Sequence, residues 1–115
     1  MPVVIYHNPR CSKSRETLAL LEGKGIKPTV IEYLKTPPSA KELKALLAKL
    51  KLAPRALMRK KEPPYAELKL DNEKLSDDAL IKAMVDNPVL IERPIVVNGE
   101  KAALGRPPEA VARIL

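Results

Sequence analysis

What this chain of 115 residues has little of narrows its chemistry before anything else does. There is no Trp and no Phe, and Tyr occurs three times, so Leu, Val, Ile and Ala must fill the interior, and rings on which bases could stack are nearly absent. A single cysteine, Cys11, excludes an internal disulfide and any disulfide cycling within the chain. One His and one Cys are too few for a metal site made by protein alone, and the carboxylates fall largely on predicted helix surfaces, so no metal is expected. No apolar run approaches the ~20 residues of a transmembrane helix, and Val3 to Tyr6 is too short for a secretory signal. The expectation is a soluble protein of a reducing cytoplasm with no membrane partner.

What is present in excess is positive charge. Lys and Arg number 21 against 14 Asp and Glu, a net charge of +7, with a pI near 9.6. Long-range steering then favours anionic partners. The densest basic run is Arg59-Lys60-Lys61, but most lysines are scattered over predicted helices. Without stacking residues, a small oxyanion fits this pattern better than nucleic acid does. The length suits one domain, 1–115, with a single core.

Val3 to His7 reads as a first strand, followed by a helix after Cys11 that runs to about Lys24, where Gly23 and Gly25 supply stop signals. Thr29 to Tyr33 reads as a second strand, parallel to the first because a helix separates them. Ser39 and Glu42 form a capping box for a helix whose Leu43, Leu46, Leu47 and Leu50 make a core face. Pro54 opens a short helix through Met58, Pro63-Pro64-Tyr65 marks a turn, and Ser76-Asp77-Asp78 caps a helix to about Asn87, before Pro88. Arg93 to Val97 and Lys101 to Leu104 flank Asn98-Gly99, a hairpin signal, and Glu109 to Leu115 reads as a last helix. This order predicts an α/β fold: a small mixed sheet with helices on both faces and the first strand in its middle.

Cys11 lies where the first strand turns into the first helix, among Asn8, Pro9, Arg10, Ser12, Lys13 and Arg15. Unpaired N–H groups and the partial positive charge of a helix start favour thiolate, and Arg10, Lys13 and Arg15 are expected to add to this. A lone cysteine is often a small buried hydrophobe, but no apolar stripe needs one here, so Cys11 reads as a nucleophile. Arg59, Arg93 and Arg106 stand at element junctions, where planar forks of donors match a tetrahedral oxyanion.

His7-Asn8-Pro9-Arg10-Cys11-Ser12-Lys13-Ser14-Arg15, Leu57-Met58-Arg59-Lys60-Lys61, Arg93-Pro94-Ile95-Val96-Val97 and Gly105-Arg106-Pro107-Pro108-Glu109 occur in this order over almost the whole chain. Together they resemble the glutaredoxin-coupled arsenate reductase family of bacteria, in its short chromosomal form. The resemblance implies a thioredoxin-like fold, a four-stranded mixed sheet with a helical insertion between strands 2 and 3, at about 36–90. It implies that Cys11 attacks arsenate, that Arg59, Arg93 and Arg106 hold the oxyanion and the product, and that His7 helps ionise the cysteine. Pro94 matches the cis-proline of thioredoxin-like proteins; Ser14 stands where a dithiol protein keeps its second sulfur, and Asn8 belongs to the same site motif. No cofactor is bound; glutathione is the implied co-substrate and glutaredoxin the partner, with arsenite released and arsenical resistance the role. Two alternatives share the resemblance: an Spx-type redox regulator binding RNA polymerase, which usually carries C-x-x-C, and a monothiol glutathione-dependent oxidoreductase with another substrate.

Overall fold

Val3–Tyr6 forms β1, in which Val3 and Ile5 are buried while Val4 and Tyr6 are only partly so, the period of two expected of a strand. The computed structural model describes residues 3–115. After β1 come α1 (Ser12–Gly23), β2 (Thr29–Ile31), α2 (Ala40–Leu50), α3 (Pro63–Glu67), α4 (Asp77–Asp86), β3 (Ile95–Asn98) and β4 (Lys101–Leu104). Single turns of 3₁₀ helix stand at Pro54–Leu57 and Pro88–Leu90, and a longer 3₁₀ segment at Pro108–Ile114. The chain divides into two compact units, one ending at Thr36 and resuming over Arg93–Leu115, the other Pro37–Glu92.

The first unit holds a four-stranded sheet of order β2-β1-β3-β4. β1 runs parallel to β2 and antiparallel to β3, and β3 is antiparallel to β4, so the expected mixed sheet with β1 inside it is present. Its core joins Val3, Ile5, Leu21, Val96, Ala103 and Val111, with Leu18, Ile26 and Ile114 packed against them. α1 ends in a Schellman motif: Ile26 N–H bonds the Leu21 carbonyl and Gly25 N–H the Glu22 carbonyl, both at 3.0 Å. Gly25 takes φ +78, the left-handed conformation that glycine adopts without a Cβ penalty.

Four local expectations need correction in this unit. β2 stops at Ile31 rather than Tyr33, because the Glu32 carbonyl accepts from Lys35 and Thr36 N–H and folds the chain into a turn. β3 begins at Ile95, after Arg93 and Pro94. Asn98 pairs with Lys101, so the hairpin turn is Gly99-Glu100 rather than Asn98-Gly99. Gly99 has φ +64 at the first central position, the place glycine takes in a type II′ turn, and Asn98 is freed to donate from Nδ2 to the Ile114 carbonyl at 2.7 Å. The last helix is 3₁₀, not α. Three residues per turn stack Pro108, Val111 and Ile114 on one face, a spacing that suits the core better than 3.6 would.

The second unit is helical and contiguous in sequence. Ser39 Oγ accepts from Glu42 N–H at 3.1 Å and lies 3.2 Å from Glu42 Oε1, the predicted capping box. Ser76 Oγ caps α4 through Ala79 N–H at 3.1 Å. Leu43, Leu46 and Leu47 of α2 are buried, as are Leu80, Ile81 and Met84 of α4, and the two helices pack together. Pro63–Glu67 is helical where a turn was expected; prolines at its first positions lack only N–H groups that a helix start leaves unpaired. Arg55 ties the unit internally, donating to Tyr65 Oη at 2.9 Å and to the Leu70 and Asn72 carbonyls.

Candidate active site

The loop from β1 to α1 is built by its own short-range hydrogen bonds. His7 N–H still reaches the Ile31 carbonyl at 2.8 Å, after which the chain leaves the sheet. Asn8 Oδ1 accepts from Arg10 N–H and the Asn8 carbonyl accepts from Cys11 N–H, both at 3.0 Å, a tight turn that asparagine favours. Arg15 reaches back to the Pro9 carbonyl at 2.9 Å. Cys11 is thereby placed as the N-cap of α1, with φ −94 and ψ 124, and its carbonyl accepts the first helical bond from Arg15 N–H.

The sulfur has little solvent around it and a cation beside it. Cys11 is buried, and Arg106 Nη2 lies 3.9 Å from Sγ. Burial pushes the thiol up, but the Ser14 N–H, the Arg93 guanidinium, the Lys13 N–H and the Arg106 guanidinium together hold it below its ordinary value. The helix start and cationic surroundings expected from the sequence are therefore present. The side chains responsible are different: Lys13 faces Glu16 at 3.7 Å and Arg15 is spent on the Pro9 carbonyl, while the cations bearing on the sulfur come from the two ends of the β3–β4 hairpin.

His7 is buried, and its Nδ1 shares a hydrogen bond of 2.7 Å with Ser14 Oγ. Ser14 is fully buried, and its Oγ also accepts from Asn8 N–H at 3.0 Å. Burial lowers the pKa of His7, Glu32 opposes this and Arg15 adds to it, so the net direction is downward and favours the uncharged ring. The ring bonds Ser14 rather than the sulfur. Ser14 thus binds histidine with its hydroxyl and favours the Cys11 anion with its N–H, a double use that its being a serine alone did not reveal.

The Arg106 side chain is held by the backbone of Arg93. Arg106 Nε donates to the Arg93 carbonyl at 2.9 Å, and Gly105 N–H to the Pro94 carbonyl at 3.0 Å. The Arg93–Pro94 and Arg106–Pro107 peptides are both cis. Gly105 is the residue that sequence reasoning passed over. A Cβ there would stand 2.4 Å from Thr17 Oγ1 and 2.7 Å from Pro94 Cγ, closer than packing allows. Thr17, also unforeseen, is fully buried in α1 and donates to the Lys13 carbonyl at 2.8 Å. Arg59 belongs to the helical unit, where Glu62 Oε1 lies 2.6 Å and Glu92 Oε1 3.8 Å from its guanidinium. Among the described residues no group of three or more His, Cys, Asp or Glu could hold a metal ion, and no helix is long and apolar enough to cross a membrane.

The sequence pattern of the ArsC family matches residues 6–114. The chain belongs to the ArsC family. It is 58% identical over 114 residues to the uncharacterized protein YfgD of Escherichia coli K12, covering 98% of this chain and 96% of that one. It is 54% identical over 116 residues to a protein named arsenate reductase in Haemophilus influenzae, with all of both chains covered. The solved structure of arsenate reductase from Vibrio cholerae superposes with a TM-score of 0.98 at 62% identity, covering 100% of this chain and 98% of the other. This ArsC-family member thus has a thioredoxin-like sheet whose first helix begins at a cysteine with the Arg106 guanidinium beside its sulfur.

Proposed function

We propose that this chain is an arsenate reductase in which Cys11 is the nucleophile and Arg93 and Arg106 receive the oxyanion. The observation that carries the reading is the guanidinium of Arg106, 3.9 Å from a sulfur seated at the N-cap of α1. A thiolate there attacks arsenic(V), forming the S–As bond as one oxygen leaves as water, while guanidinium and N–H donors meet the charge that builds on the remaining oxygens. His7 and Ser14 are positioning residues: the serine hydroxyl holds the ring and its N–H favours the thiolate. Asn8 shapes the loop, and Pro94 accepts from Gly105 to set the Arg106 segment.

Reduction of As(V) to As(III) takes two electrons, which two thiols supply on joining as a disulfide. Cys11 is the only cysteine and must be returned as thiolate, so both equivalents come from outside. By the family resemblance these are glutathione and then glutaredoxin. Length and the lone cysteine make the chain one domain, 1–115, of a reducing cytoplasm, the resemblance makes about 36–90 its helical insertion, and Arg59, in the unit Pro37–Glu92, enters the proposal only through that resemblance. The test is turnover of arsenate with glutathione and glutaredoxin by the native protein and by Cys11→Ser. Loss in the variant is expected, and activity that persists in it overturns the assignment. Mass spectrometry supplies the second check: a Cys11–arsenic adduct is expected, whereas a glutathione adduct formed with no arsenate requirement points to a monothiol oxidoreductase instead.

A further inference from the structure

A groove of about 330 Å³ lies in the sheet unit beside the loop that carries Cys11. His7, Pro9 and Arg10 form one part of its lining, and Glu32, Leu34 and Lys35 another; neither Arg93 nor Arg106 belongs to it. The volume is at the small end of ligand pockets, ~300–1,000 Å³, and suits a molecule of a few residues. Cys11 is close by construction. It follows Arg10 directly, consecutive Cα atoms being about 3.8 Å apart, and its N–H bonds the carbonyl of Asn8, another lining residue, at 3.0 Å.

The groove is charged in a particular way. Arg10 and Lys35 are cations and Glu32 an anion, which leaves an excess of one positive charge. Lys35 Nζ and Glu32 Oε1 are 3.7 Å apart with side chains 79% and 42% exposed, so their mutual attraction is screened and the pair opens at little cost. Leu34, 44% exposed, and Pro9 give the lining an apolar part beside these charges. None of these groups is needed to grip an oxyanion at the sulfur.

Resting on the reading that an external thiol resolves the Cys11 adduct, we propose that this groove docks that thiol, a small peptide thiol free in solution with two carboxylates and one ammonium. Such a molecule carries a net charge of minus one, the complement of the groove. Arg10 and Lys35 take its carboxylates and Glu32 its ammonium, and the carboxylate held at Arg10 keeps the ligand one residue from Cys11. Oxyanion and thiol then reach the sulfur from different groups, so one need not leave before the other arrives.

The probe is S-methylglutathione, which has the charges but no free thiol and so reports docking without chemistry. Titrated into the isotope-labelled native protein, it is expected to shift amide signals of residues 7–10 and 32–35. Arg10→Ala/Lys35→Ala is expected to weaken binding at least fivefold, about 1 kcal/mol, and to raise KM for glutathione with kcat nearly unchanged. Lys24→Ala/Lys41→Ala, which removes two exposed charges outside the groove, is expected to bind nearly as the native protein does. Shifts confined elsewhere, no shifts at millimolar probe, or equal affinity in the groove variant would overturn the proposal. Glutathione-dependent arsenate turnover without groove binding sinks the docking site alone; groove binding without arsenate turnover sinks the oxyanion reading alone.

Discussion

The two units begin their helices differently, and the contrast marks where the chemistry lies. In the helical unit Ser39 and Ser76 each accept an N–H at 3.1 Å, and Glu42, Asp77 and Asp78 occupy the first turns. Those carboxylates and caps consume the positive end of the helix for stability. In the sheet unit Cys11 holds the same position with no side-chain cap hydrogen bond, and no acidic residue follows in the first turn. The N–H groups of Lys13 and Ser14 are left to favour an anion at the sulfur. A helix start without a side-chain cap or acidic first-turn residues leaves its N–H groups open to an anion, which is what the proposed function requires.

The contrast breaks most visibly if damage to the helical unit disturbs the thiol. Leu43→Ala, at a fully buried position of α2, is expected to cost about 2–5 kcal/mol by denaturant unfolding. The pH midpoint of Cys11 alkylation should stay where it is in the still-folded protein; a midpoint that moves would deny the separation. Arg106→Ala should do the reverse, lowering turnover by roughly 10²-fold as a charge-stabilising donor is lost. Its alkylation midpoint should rise toward the ~8.5 of free cysteine, because a cation that favours thiolate is gone.

Gly105→Ala tests both at once. Its new Cβ would meet Thr17 and Pro94, for which overpacking costs of about 1–3 kcal/mol are usual, and the displaced Arg106 should raise the thiol midpoint as well. A stability loss with an unmoved midpoint would reduce Gly105 to a packing residue. Cys11→Ser turns the Cys11 cap into the kind found at Ser39, so unfolding should become harder by about 0.5–1 kcal/mol while turnover should disappear. The smallest effect concerns His7. Its folded pKa is depressed, so the unfolded chain takes the proton first; the stability this represents is present above the ordinary value of about 6.5 and is lost as pH falls through the folded one. Urea midpoints for His7→Gln between about pH 7.5 and 5 should therefore slope less than those of the native protein.

The elements that sequence reading located correctly are those announced by local chemistry. The Ser39 box, the Ser76 cap and the Gly25 stop each act within a few residues, and each stands where it was expected. The misplaced ones depend on distant partners. Asn98 is a strand residue because Lys101 pairs with it and the Ile114 carbonyl takes its amide, and the last segment winds as 3₁₀ because Val111 and Ile114 face a core made by other strands. At the site, Cys11 at a helix start was legible from its neighbours. Arg10, Lys13 and Arg15 are the cations that the local sequence offers, whereas the structure brings the guanidinium groups of Arg93 and Arg106 to bear on the sulfur.

By itself the sequence determined that one sulfur would sit at a helix N-terminus in a cationic chain lacking a second thiol, since capping, charge and composition are properties of short stretches. Only the tertiary structure decided which cations reach that sulfur and what Ser14 and Gly105 are for. Both depend on antiparallel pairing of β3 with β1 and β4, which carries residues some ninety positions along the chain, Arg106 among them, to within 3.9 Å of Cys11. No local pattern encodes a close approach of that kind, because its energy is shared among backbone bonds and packed side chains that come together only when the sheet closes.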